Sequence, residues 1–113
     1  MNDIAPAPDN RLRIALDHSD HSSACFVLEG ELDPHTAPML QGQIDEQLDH
    51  GASTIVLDVA GVTFVDSAGL RVFADTHRRL ADTGAALTVR SPSTGLQKLL
   101  TVSGLSGHLV VEA

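Results

Sequence analysis

Aromatic residues are almost missing from this chain of 113 residues: three Phe, no Tyr and no Trp. Its core must therefore be aliphatic, and the stacking platforms that hold single-stranded bases are lacking. Basic residues are scarce too, seven Lys and Arg against fifteen Asp and Glu, for a formal net charge of −8. A chain of that sign repels phosphate backbones and argues against direct nucleic-acid binding. Cys25 is the only cysteine, which excludes a disulfide framework and a thiolate metal cage. Within the apolar run 24–27 it reads as a small buried hydrophobe. No apolar run approaches the ~18–20 residues that span a bilayer. The opening MNDIAPAPDN has neither the basic start nor the apolar stretch of a signal peptide. A cytoplasmic protein without membrane contact is expected.

What is present suits one globular domain. Hydrophobic residues make up 42% and charged residues 19% of the chain, too apolar for disorder. Residues 1–10, with Pro6 and Pro8, read as a flexible leader, and 11–113 as a single domain. The acid is unevenly spread. Residues 1–60 hold eleven of the fifteen Asp and Glu, with only Arg11 and Arg13 to balance them. A basic partner for that half is one explanation, and a solvated acidic face is the commoner one.

Alternation of polar and apolar residues predicts a strand over 11–16, the polar run 17–23 a turn and the apolar 24–28 a second strand, together a hairpin. Thr36 is then a candidate N-cap, with Ala37, Leu40, Ile44 and Leu48 at helical spacing and Gly51 as terminator. The run 54–59, TIVLDV, reads as a strand buried on both faces. A loop, GVTFVD, leads from it into a helix with Leu70, Phe73, Ala74, His77, Leu80 and Ala81 on one face, ended at Thr83-Gly84. A short strand at 87–90 follows. Ser93 caps a helix carrying Leu96, Leu99 and Leu100, closed by Gly104, and 108–111 is a last strand. The order ββαβαβαβ implies an α/β fold, a mixed β-sheet covered by helices.

The stretch 59–70, VAGVTFVDSAGL, holds the most chemical information. It delivers Asp66, Ser67, Ala68 and Gly69 to a helix start, where unsatisfied N–H groups and the positive end of the helix dipole converge. A phosphate on Ser67 would find donors there, and Gly69 leaves room for close approach. The plainer reading makes Asp66 an N-cap and Ser67 an exposed residue of the first turn. Val62, Phe64 and Val65 tip the balance, since one or more of them at the surface beside a polar pair suggests a contact patch.

GELDPHTAPML at 30–40 and GVTFVDSAGL at 61–70 resemble the two signature segments of the STAS family, specifically its bacterial anti-sigma factor antagonists. The similarity covers roughly residues 11–112. It implies a STAS-like fold and a regulatory protein that is not an enzyme, with no catalytic residue, cofactor or metal of its own. The serine after the aspartate, here Ser67, is implied to be phosphorylated by an anti-sigma factor that is itself a serine kinase, and reset by a serine phosphatase. The unphosphorylated form is implied to bind that anti-sigma factor and release a sigma factor. Asp33, Thr63, Phe64, Val65, Asp66, Ala68 and Gly69 are implied to form the partner-binding surface around Ser67. Ala68 departs from the family, whose members often carry Ser or Thr there.

Rival readings fare less well on the residues. A serine hydrolase needs G-x-S-x-G, and Val65 stands where the first Gly belongs. A phospho-accepting receiver domain could use Asp58, placed at the end of a buried strand. However, Asp17 and Asp20 are wrongly spaced for its acidic pair, and Lys98 falls inside a helix. His18 and His21, with Asp17 and Asp20, make a weak metal motif. His77 reads as a core-edge histidine. No G-x-x-x-x-G-K-[ST] loop is present, so any ATP belongs to the partner kinase. A STAS adaptor for a transporter or lipid-trafficking complex is the remaining alternative.

Overall fold

The computed structural model describes residues 11–20 and 22–113, with 18–20 described by their backbone alone. The expected leader and His21 lie outside the described residues, as do the side chains of His18 and Asp20 in the weak metal motif. A hairpin of β1 (Leu12–Asp20) and β2 (Ser23–Leu32) opens the fold. It is followed by α1 (Ala37–Asp49), β3 (Thr54–Val65), α2 (Ser67–Ala81), β4 (Leu87–Arg90), α3 (Thr94–Val102) and β5 (Val110–Glu112). The strands lie side by side in chain order, the first pair antiparallel and the rest parallel. Element order and mixed sheet are those expected. The hairpin turn is tighter than the polar run 17–23 suggested, because both strands continue into it.

Each helix links two adjacent parallel strands, and every crossover steps in the same direction. Such connections are right-handed, so all three helices fall on one face of the sheet. Burial alternates accordingly. Ala24, Phe26 and Leu28 of β2, Ile55, Leu57 and Val59 of β3, and Leu87 and Val89 of β4 are sealed beneath the helices. Their neighbours Cys25, Val27, Val56, Asp58, Thr88 and Arg90 are only half-buried. This corrects two expectations: 54–59 is covered on one face, not two, and Cys25 points to the open face. There its Sγ lies 3.9 Å from Arg90 Nη1, and partial desolvation is the main reason its pKa is raised.

The core is aliphatic, as the composition required, with Phe26 and Phe73 its only aromatic members. Burying each large side chain contributes about 1.5–3 kcal/mol, so the sheet–helix layer dominates stability. The inward stripe of α2 is Gly69, Val72, Phe73, Thr76 and Leu80. The expected stripe shared only Phe73 and Leu80 with it. Thr76 hid the true face by placing a polar residue at its centre. His77 is half-buried at the core edge, its ring 5.5 Å from that of His108. The last strand begins two residues later than expected and leaves Val110 and Val111 exposed at the sheet edge.

Candidate partner-binding site

The site is assembled where β3 outruns the sheet. β3 leaves β4 after Asp58, yet stays paired with β2 as far as Leu32 opposite Val65. The stretch expected as a loop is thus mostly strand. The loop was expected to begin at Gly61, but the β-branched and aromatic residues after it pair with the end of β2. One consequence is that Asp58 sits in mid-strand on the open face, its Oδ1 accepting from Ala60 N at 3.1 Å. It does not stand at a strand's end, where the receiver reading needed it.

Asp66 then turns the chain into α2. Its backbone is extended, and its Oδ1 accepts from Ala68 N at 2.8 Å and Gly69 N at 3.4 Å. Its own N–H donates to Leu32 O at 3.2 Å, tying the cap to β2. Ser67 is the first residue of the helix and is exposed. Both parts of the plainer reading therefore hold, and they present the Ser67 side chain at the surface.

Gly69 is buried beneath this surface. A Cβ on it would stand 2.8 Å from Val65 Cγ1 and 2.9 Å from Leu32 Cβ. What comes close to Gly69 is the chain's own strand pair. Of the other site residues, Thr63 and Phe64 are exposed, Phe64 by 50%, while Val65, Asp66 and Ala68 are half-buried.

Asp33 is only 7% exposed and is held by its own chain. Oδ1 accepts from His35 N at 2.8 Å and Thr36 N at 2.9 Å, and Oδ2 pairs with Arg11 Nη1 at 2.9 Å. The bond from Thr36 N, foremost, holds its pKa below the usual carboxylate value; those from His35 N and the Arg11 charge act in the same sense, against partial desolvation. Thr36 was the expected cap of α1, but its hydroxyl makes no cap bond to the helix. Instead Thr36 Oγ1 donates to Glu31 O at 2.7 Å and accepts from Asp33 N at 3.0 Å, bracing the β2–α1 turn.

Two shallow depressions reach the residues on either side of Ser67. One, of about 210 Å³, runs from Val62–Val65 to Ser93, Gly95, Leu96 and Leu99 of the α3 end. The other, of about 320 Å³, lies between the starts of α1 and α2, with Pro34, Ala37, Pro38 and Ala68 in its lining. Leu99 is 40% exposed. The sequence grouped it with Leu96 and Leu100 on one helix, and no local signal separated it from those two buried residues.

The family model described as "Mlab, STAS domain" matches residues 14–112. The chain belongs to the STAS family. Among curated relatives, the anti-sigma F factor antagonist of Paenibacillus polymyxa is 33% identical over 96 residues, 83% of this chain and 80% of that one. That similarity places this STAS chain with the anti-sigma factor antagonists. In fold it resembles the Bacillus antagonist SpoIIAA in its unphosphorylated form, with TM-score 0.79, 22% identity and 89% of each chain covered. The phosphorylated form of SpoIIAA scores 0.73 at the same identity, over 89% of this chain and 92% of that one. A sulfate transporter family protein from Wolinella succinogenes has the same fold, at TM-score 0.69 and 18% identity over 80% of this chain and 76% of that one. At that distance the likeness is one of architecture, and fold does not decide function. Among the described residues, no helix is long and apolar enough to cross a membrane, and no group of three or more His, Cys, Asp or Glu could hold a metal ion.

Proposed function

We propose that this chain is an anti-sigma factor antagonist switched at Ser67. In this reading its unphosphorylated form binds, in the cytoplasm, an anti-sigma factor that is also a serine kinase, and so releases a sigma factor. The kinase moves the γ-phosphoryl group of ATP to Ser67 Oγ; ADP departs and the hydroxyl proton passes to a base on the kinase. A phosphatase reverses the modification by hydrolysis, returning the hydroxyl and inorganic phosphate. One observation carries the proposal: Ser67 is exposed as the first residue of α2, between two apolar depressions that a partner can cover.

Electrostatics accounts for release without a change of fold. A phosphoserine brings about −1.5 to −2 charges at pH 7. Beside the Asp66 carboxylate, and pressed against a surface shaped for a hydroxyl, it meets repulsion and loses hydration. A penalty of about 3–4 kcal/mol weakens binding several hundredfold, enough to free the partner. Phe64 and Leu99 supply apolar contact, while Asp33 and Gly69 hold the surface in place from below.

Intact-mass spectrometry after incubation with anti-sigma kinases and ATP tests the reading. The wild-type chain is expected to gain one phosphate and Ser67→Ala none. Equal modification of both, or of neither by any such kinase, would remove Ser67 from the mechanism.

A further inference from the structure

A phosphate on Ser67 has fewer backbone donors than a helix start usually offers. The first turn of a helix has free N–H groups that suit an anion. Here Ala68 N and Gly69 N already donate to the Asp66 carboxylate. The phosphate would enter beside that carboxylate, with two donors already engaged, and a cation is needed to offset its charge.

Arg71 is placed to supply one. It lies four residues after Ser67, one turn along the same helix, and its side chain is 82% exposed. Its Nε stands 3.9 Å from Asp75 Oδ2, beyond hydrogen-bond reach. Asp75 does not depend on it, because its other oxygen is held by Arg78. An acid one turn before a base is the favourable order for a helical ion pair. Guanidinium also matches phosphate with two parallel N–H bonds, which ammonium cannot.

We propose that Arg71 is the intramolecular partner of phosphorylated Ser67. Its guanidinium turns from Asp75 to the phosphate, stabilising the modified form and stiffening the start of α2. Because Arg71 also lines the depression between α1 and α2, the same movement reshapes one edge of the partner-binding surface. The serine is thereby coupled to a second feature of that surface. This inference rests on the reading of Ser67 as the phosphorylated residue.

The test uses the full chain with phosphoserine installed at position 67 during synthesis, so that no kinase is required. The second ionisation of the phosphate is followed by ³¹P NMR across pH, in the wild type, Arg71→Gln and Arg71→Lys. The wild type is expected to ionise about 0.5 pH unit lower than Arg71→Gln, with Arg71→Lys in between. The Arg71 Nε–H resonance is expected to move on phosphorylation. Superimposable titrations of wild type and Arg71→Gln, with that resonance unmoved, would overturn the pairing. Failure of kinase labelling would instead count against the choice of Ser67, and the two results are separable because the titration needs no enzyme.

Discussion

Asp33 and Asp66 both stand just before a helix, yet their surroundings give them different work. Asp66 is half-buried and caps α2 directly, leaving Ser67 at the surface. Asp33 is buried, accepts two backbone N–H bonds and pairs with Arg11. Those contacts favour its charged form, chiefly through the bond from Thr36 N. Its contribution to stability is therefore complete above the pKa it has in the unfolded chain, near 3.9. It is lost as pH falls from there through the lower folded value. Thermal melts across pH should show the wild type losing stability below about pH 4 and Asp33→Asn losing less over that window. Asp33→Asn should also melt lower at neutral pH, where the ion pair is gone. Parallel curves would show that Asp33 is not the titrating support described here.

At the scale of elements, the β3–α2 junction decides what the site looks like. Gly69 lets the first turn of α2 lie against Leu32 and Val65, and the Asp66 cap fixes the helix start above them. Gly69→Ala forces a methyl into that contact and is expected to cost about 1–3 kcal/mol by overpacking. Chemical denaturation measures it, and an unchanged midpoint would mean that the helix lifts away freely. Much of this architecture was readable in the sequence. Polar–apolar alternation marked the first strand and β-branched residues the third, and Ser93 was correctly identified as the cap of α3, its Oγ accepting from Leu96 N. Misreadings arose where long-range contacts outweigh local signals. β3 continues past Gly61 because the end of β2 is there to pair with it. The α2 stripe turns about its axis because Gly69 must face the strands. Thr36 does stand at the N-cap of α1 as expected, but its hydroxyl is engaged by Glu31 O and Asp33 N and not by the helix.

On the scale of the whole molecule, one-directional crossovers stack every helix on one face and leave the other face half-open. The signature residues converge at one end of this layer, where β3 outruns the sheet and meets the starts of α1, α2 and α3. This convergence explains why two segments some thirty residues apart belong to one surface. It also explains why no local signal marked Leu99, which α3 brings to the depression beside Phe64 from more than thirty residues away. On the reading proposed for Ser67, a scaffold of this kind needs only a change of charge at its rim to release its partner.

Calorimetric titration of Ser67 variants into an anti-sigma factor kinase tests the proposed switch at Ser67 most directly. Ser67→Ala is expected to bind as tightly as the unmodified wild type, and Ser67→Asp at least about tenfold more weakly. Equal affinities for the two variants, with the fold of each intact, would contradict it.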